Sequence, residues 1–396
     1  MGRIHKAVTA AVGGAVVLLM SQVPVAAAPA ATGTVLHNGF SGYPRMVRLE
    51  HSGAANGRII ASVTGTLPSR RSGGVIFSSF DDGQTFTKIA DVPDIPATAG
   101  TGVCCGTIYE LPVQVGDMPE GTLLRAASVG NAGPDDKRQV RQRLWRSDDH
   151  GYTWSYVSDM AVAPPGNHYN AWEPELSVTG DGRLAAYYSD ETDKARHDQK
   201  LVKVASSDGV HWTPPENLII HKDRSVRPGM AVVRQLPDGT FFMAYEVCNN
   251  DLKHLCSIYT RKSADGWNWG DPYDLGKLVR TPDGKYARHT PSIAWSPGPG
   301  PDGTILLISE MLVNADGSVA RGNGKTILGN DQSGNGTWYE MPSPVQIDGV
   351  DNSGCRNFSP SLLPTEDGTE VLQMATDYFR PNDCRTYFAT GPLTHP

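Results

Sequence analysis

One signal recurs six times along the chain and limits its architecture more than any other. A turn residue followed by glycine opens an apolar run at Asn56-Gly57, Glu120-Gly121, Asp181-Gly182, Asp238-Gly239, Asp302-Gly303 and Asp367-Gly368. These glycines lie 57 to 65 positions apart. Glycine accepts positive φ without steric cost, so an Asp-Gly or Asn-Gly pair before a β-rich run marks a hairpin turn. Each copy also follows an apolar run, such as Met46-Val47-Arg48-Leu49 or Met230-Ala231-Val232-Val233. Each repeat is therefore expected to open with two antiparallel strands.

A second signal lies in the later half of most repeats. Ser79 to Phe86 and Ser147 to Trp154 both read Ser-x-Asp-x-Gly-x-Thr-aromatic. Ser206 to Trp212 and Ser263 to Trp269 are shortened copies, and Ser333 to Trp338 is a degenerate one. The Asp can bond nearby amides, the Gly supplies the unusual φ, and the aromatic plugs the space between neighbouring sheets. The two full copies resemble the Asp-box repeats of sialidase-like propellers, and a structural role is expected for them. Six repeats of about 60 residues with about four strands each predict an all-β, sialidase-like six-bladed β-propeller.

The propeller is expected to fill 31–396 as one catalytic domain, because residues 1–30 read as a secretory signal. Arg3 and Lys6 form its basic start, Ala7 to Met20 its apolar run and Ala26 to Ala31 its cleavage zone. The apolar run is too short for a transmembrane span, and no later stretch approaches it. The mature chain is thus expected to be secreted, free of the membrane and monomeric. The net charge is −7 and no Lys/Arg run stands out, so no nucleic-acid partner is expected. Six cysteines in an exported chain point to disulfides. Cys248 and Cys256 bracket a short polar loop, and Cys355 and Cys384 both lie near the C-terminus. Cys104 and Cys105 are left to form either a vicinal bridge or a pair of free buried thiols. No second Cys/His pair stands at ligand spacing, so neither a metal nor a cofactor is expected.

In a four-stranded meander, the start of the first strand and the end of the second share one face. First-strand starts place Tyr43-Pro44-Arg45, Cys104-Cys105-Gly106, Trp172-Glu173-Pro174, Arg227-Pro228, His289-Thr290-Pro291 and Arg356-Asn357-Phe358 there. Positions seven after each repeat glycine add Thr64, Ser128, Ser189, Glu246, Glu310 and Ala375, with Asp190 and Asp377-Tyr378 just beyond. The Asp-box turns fall on the opposite face. One face thus gathers Arg45, Glu173, Arg227, His289, Glu246 and Glu310. Two facing carboxylates are the minimal equipment for glycosidic cleavage: one protonates the leaving oxygen and the other attacks or stabilises the anomeric carbon. Glu173 and Glu246 are the expected pair, with Arg227 keeping Glu246 ionised. Tyr43 and Trp172 are candidate platforms for sugar rings.

The motifs Tyr43-Pro44-Arg45, Cys104-Cys105-Gly106-Thr107, Trp172-Glu173-Pro174, Tyr187 to Glu191, Arg227 to Met230 and Tyr245 to Cys248 together resemble the secreted exo-1,5-α-L-arabinanase family of glycoside hydrolases. The likeness runs from about Tyr43 to about Trp295. It implies a retaining exo-hydrolase that releases arabinobiose from α-1,5-linked arabinan, with Glu173 as acid/base and Glu246 as nucleophile. Glu175 is the local rival of Glu173 but lies inside the strand. Tyr43, Arg45, Trp172, Asp190, Arg227, His289 and Tyr378 are the expected substrate-binding set for a polysaccharide or oligosaccharide. The chain is also similar to exo-α-sialidases. There Arg45, Arg227 and either Arg288 or Arg356 would mimic an arginine triad, and Tyr378 a tyrosine nucleophile. The hairpin from Gly57 to Gly65 holds no Asp for that chemistry. A non-catalytic carbohydrate-binding propeller is the third reading.

Overall fold

All six repeat glycines adopt positive φ, between 67° and 86°, at the turn joining the first two strands of a sheet. The computed structural model describes residues 32–94, 101–132, 138–166, 168–251 and 255–395. The proposed signal, 1–30, lies outside them. Among the described residues no helix is long and apolar enough to cross a membrane.

Six antiparallel sheets form the blades of a propeller. Blade 1 comprises Ser41–Arg48, Ile59–Thr66, Ser72–Ser79 and Thr87–Val92, and blade 2 comprises Thr101–Glu110, Leu123–Ala132, Arg141–Ser147 and Ser155–Val162. Blade 3 follows with Ala171–Val178, Leu184–Asp190, Lys200–Ser206 and Glu216–Ile219. Blade 4 is built on Arg227–Gln235, Phe241–Cys248 and Ser257–Ser263. It departs from the four-strand rule: Lys277–Leu278 and Tyr286–Arg288 both pair with its third strand, and Met311–Val313 extends the sheet. Blade 5 uses Ser292–Ser296, Thr304–Ile308, Thr326–Asn330 and Tyr339–Pro342. Blade 6 takes Ser361–Pro364, Glu370–Arg380 and Asp383–Pro392, and its fourth strand is Thr34–Val35 from the start of the described chain. The ring is thereby closed by pairing its two ends, which removes one exposed edge.

The core is divided among the gaps between blades. Ile60, Ile76, Leu123 and Trp145 pack between blades 1 and 2, and Leu144, Leu176 and Leu184 between blades 2 and 3. Tyr187, Phe241, Tyr245 and Trp269 fill the next gap. Each blade buries both faces, so its strands read as nearly continuous apolar runs.

The Asp-boxes close the outer hairpins as expected. In blade 1 Asp81 accepts the Thr85 amide at 2.9 Å and the Ser79 hydroxyl at 2.7 Å, while the Gly83 amide donates to Ser79 Oγ at 2.9 Å. Blade 2 repeats this with Ser147, Asp149, Gly151 and Thr153. In blade 5 the box is anchored at Asn330 rather than at Ser333. Asn330 Oδ1 takes the place of the serine hydroxyl and accepts the Gly334 amide at 2.7 Å.

Three disulfides join Cys104–Cys105, Cys248–Cys256 and Cys355–Cys384, and no cysteine of the described residues is free. The open choice for Cys104 and Cys105 resolves to the vicinal bridge.

Candidate active site

The innermost strand of every blade starts with the same irregularity. Tyr43, Cys105, Glu173, Met230, Thr290 and Ser359 all have positive φ, and four of the six precede a proline. In blades 1 to 4 the pairing register slips at this point, so that two residues oppose one. Such a bulge re-aims a side chain, and it costs a non-glycine residue about 1 kcal/mol or more. Six strained positions in one ring about the axis fit a shaped cleft better than a packing device.

The bulges correct two sequence alignments. In blade 4 the equivalent of Glu173 is Met230, not the Arg227-Pro228 pair. In blade 6 it is Ser359, and the matching second-strand residue is Thr376 rather than Ala375: Thr376 accepts the Asn357 amide at 2.7 Å through its carbonyl. Thr64, Ser128, Ser189, Glu246, Glu310 and Thr376 therefore form one ring of buried polar side chains.

Glu173 and Glu246 meet through this ring. Ser189 Oγ donates to Glu173 Oε2 at 2.8 Å and accepts the Met230 amide at 3.1 Å. The residue before Met230, Gly229, pairs across the hairpin with Glu246. Burial pushes the Glu173 carboxyl up to about 7, the Ser189 bond draws it back, and the charge of nearby Glu246 raises it again. Glu246 Oε2 accepts the Thr290 amide at 2.8 Å and faces His289 Nδ1 at 3.1 Å. Burial disfavours the imidazolium, but Glu246 and Glu310 outweigh it and bring His289 up to about 9. His289 Nδ1 also lies 3.7 Å from Glu310 Oε2. Glu310 is fully buried, neither of its oxygens accepts a hydrogen bond, and burial pushes it up to about 7.

The cation beside Glu246 is thus His289, and the expected role of Arg227 changes. Arg227 Nη2 lies 2.7 Å from both Glu191 Oε1 and Gln199 Oε1. Glu191, just past the second strand of blade 3, also accepts from Asn170 Nδ2 at 2.8 Å and from Lys194 Nζ at 3.2 Å. The motif Tyr187 to Glu191 contains this residue, but nothing local in the sequence marks it as Arg227's partner. Glu175 is spent on the scaffold: it accepts from Thr107 at 3.0 Å in blade 2 and from Arg234 at 2.5 Å in blade 4.

Of the remaining expected residues, Tyr43 is buried beneath Arg45, whose guanidinium lies 4.2 Å from its ring centre. Arg45 itself donates to Ser359 at 2.9 and 3.1 Å and so ties blade 1 to blade 6. Trp172 is half-buried beside Glu173 with Arg138 over its ring. Asp190 accepts the Thr192 amide at 2.8 Å, and Tyr378 lies under Arg356. Arg45, Arg227 and Arg356 engage separate partners instead of converging on one point.

Glu246, Cys248, Cys256 and His289 bring potential ligand atoms within 4.8 Å of one another. The two sulfurs are bonded to each other, however, and a metal of this class needs thiolates. What remains, Glu246 and His289, is one ion pair.

Known structures share this architecture. Penicillium chrysogenum alpha-L-arabinanase, solved with arabinobiose, matches with a TM-score of 0.73 at 26% identity, covering 92% of this chain and 99% of that one. The GH93 alpha-L-arabinofuranosidase of Fusarium graminearum, also with arabinobiose, matches with a TM-score of 0.71 at 24% identity over 91% and 97% of the two chains. The Hadza microbial sialidase Hz136 shares the fold more distantly, with a TM-score of 0.50 at 15% identity over 94% of this chain and 71% of that one. No curated protein matches the sequence. The BNR repeat-like domain family matches residues 51–288, more than half of the chain, and the chain belongs to that family.

Proposed function

We propose that this protein is a secreted, retaining exo-glycoside hydrolase that cleaves α-1,5-linked L-arabinan and releases arabinobiose. The observation that carries the reading is the pairing on adjacent blades of two carboxyls in different environments. Glu173 is held near 7 by burial, and Glu246 has one oxygen facing both the Thr290 amide and a cationic His289. The likeness to the Penicillium arabinanase supports the choice of arabinan.

In this mechanism Glu173 donates its proton to the leaving glycosidic oxygen as that bond breaks. Glu246 Oε attacks the anomeric carbon and forms a glycosyl-enzyme ester. Glu173, now ionised, takes a proton from water; the water oxygen attacks the same carbon and Glu246 departs as carboxylate. A carboxyl with its pKa near 7 serves both as acid and as base close to neutral pH. His289 and the Thr290 amide stabilise the charge that returns to Glu246 at the end of the cycle. The dispersed partners of Arg45, Arg227 and Arg356 weigh against an arginine triad for a sialoside carboxylate.

The test is a hydrolysis panel of linear arabinan, branched arabinan and a sialoside, with product size and anomeric configuration read by NMR. Arabinobiose released from linear arabinan with retained configuration is expected. Release of sialic acid, or sugar binding with no turnover of any substrate, would overturn the reading.

A further inference from the structure

The face opposite the candidate active site carries a feature that catalysis does not use. Phe80 occupies the second position of the blade 1 Asp-box, where the other boxes have Asp148, Ser207, Ala264 and Asp331. It is 73% exposed, the most exposed large apolar side chain among the described residues. Tyr152, from the box of blade 2, is 48% exposed. Between the two rings lies the Arg58 guanidinium, 4.6 Å from the Phe80 centroid and 4.8 Å from that of Tyr152. Arg58 is itself only 8% exposed and is anchored to Ser78 Oγ at 2.6 Å, yet its Nη2 is buried with no hydrogen-bond acceptor. Beside it opens a depression of about 790 Å³ lined by Phe80, Arg58, His150, Glu366 and Glu370. That volume is within the usual range of ligand sites.

We propose that this depression is a second carbohydrate-binding site, taking a neutral glycan chain. Cation–π stacking on Arg58 fixes both aromatic rings before a ligand arrives, so little side-chain entropy is lost on binding. A sugar ring presents an apolar C–H face and a hydrogen-bonding edge. Phe80 supplies the counterpart of the first, and the Arg58 guanidinium edge that lines the depression, with the carboxylates of Glu366 and Glu370, that of the second. Arg48, the other cation of the lining, is paired with Asp82 at 2.6 Å, so carboxylates outnumber available guanidinium and an anionic chain is disfavoured. The site sits at the turn ends of blades 6, 1 and 2, whereas Glu173 and Glu246 open on the other face. Both can therefore be occupied at once, which would hold a polymer near the enzyme at high effective concentration.

The proposal does not require the active site to cleave arabinan. It is tested by calorimetric titration of the full chain carrying Glu246→Gln with linear arabino-, xylo- and cello-oligosaccharides and with an oligogalacturonide. At least one neutral chain should show a binding component that Phe80→Ala weakens by about five-fold or more and Phe80→Tyr retains, with a smaller loss in Tyr152→Ala, which acts only by holding Arg58. The melting temperature of each variant should match the parent, since both side chains are exposed. Which neutral chain binds distinguishes arabinan from another wall polysaccharide. No such component with any neutral chain, a component indifferent to Phe80→Ala, or one seen only with the oligogalacturonide would overturn it. Failure of arabinan hydrolysis would be read separately, with a short chromogenic arabinoside on enzyme that retains Glu246; there Phe80→Ala should act within about two-fold of wild type.

Discussion

Replacing Ser189 with alanine removes one hydroxyl and leaves both proposed catalytic carboxyls in place. That hydroxyl donates to Glu173 Oε2 at 2.8 Å and accepts the Met230 amide at 3.1 Å. A hydrogen bond to a charged group contributes about 1.5–3 kcal/mol, against about 0.5–1.5 kcal/mol for a neutral one. The difference, roughly 1–1.5 kcal/mol, favours the ionised carboxylate and corresponds to about one pH unit. Without it the Glu173 pKa should rise above its present value of about 7. Because the acid must be protonated to help the leaving group, the alkaline limb of kcat/KM should move to higher pH by about one unit. The variant should also lose about 1–3 kcal/mol of stability, since the buried Met230 amide is left without an acceptor. The assay is kcat/KM against pH on an aryl arabinoside, with denaturant unfolding in parallel. An alkaline limb that stays put, or moves to lower pH, would refute the assignment of Glu173 as acid and of Ser189 as the group that tunes it.

Glu246→Ala should abolish turnover of every substrate. Glu173→Ala should spare substrates with good leaving groups and be partly rescued by azide, which attacks the glycosyl-enzyme without a general base. Near-normal activity in both variants would displace the pair. His289→Asn should lower kcat by about ten-fold or more with KM little changed, because it removes the cation 3.1 Å from Glu246; a pure KM effect would make His289 a substrate-binding residue instead. Stability should fall as pH rises from about 5 to 9. Glu173 and Glu310, raised to about 7 from an ordinary 4.5, bind more protons folded than unfolded and lose that contribution through this window. His289, raised to about 9 from 6.5, loses its contribution over the upper part, and the sign is the same. Glu310→Gln should therefore raise the melting temperature at pH 8 and change it little at pH 5; a larger loss at pH 8 would show that Glu310 stabilises as an anion. Glu175→Ala should destabilise by about 1–3 kcal/mol in denaturant unfolding, because it leaves the buried Thr107 hydroxyl and Val233 amide without an acceptor.

Much of this protein was legible in the chain because its signals are local. A glycine at positive φ is required by the hairpin it closes, wherever that hairpin lies, so the six-fold period could be counted directly. The Asp-boxes satisfy their own backbone within seven or eight residues, and their spacing carries their structure. Cys248 and Cys256 are held together by the short loop between them.

The tertiary structure decided whatever depends on phase within a blade or on partners in the next one. Met230 rather than Arg227 is the bulge residue of blade 4, because register is set by pairing with Phe241–Cys248 and not by the proline signal. Thr376 displaces Ala375 for the same reason: a one-residue slip turns a strand's side chains to the opposite face. Arg227 pairs with Glu191 and Gln199, and His289 with Glu246, since distance across adjacent blades, not separation along the chain, selects the counter-charge. The raised Glu173 and Glu310 carboxyls arise from burial, which exists only once six sheets have closed around one axis.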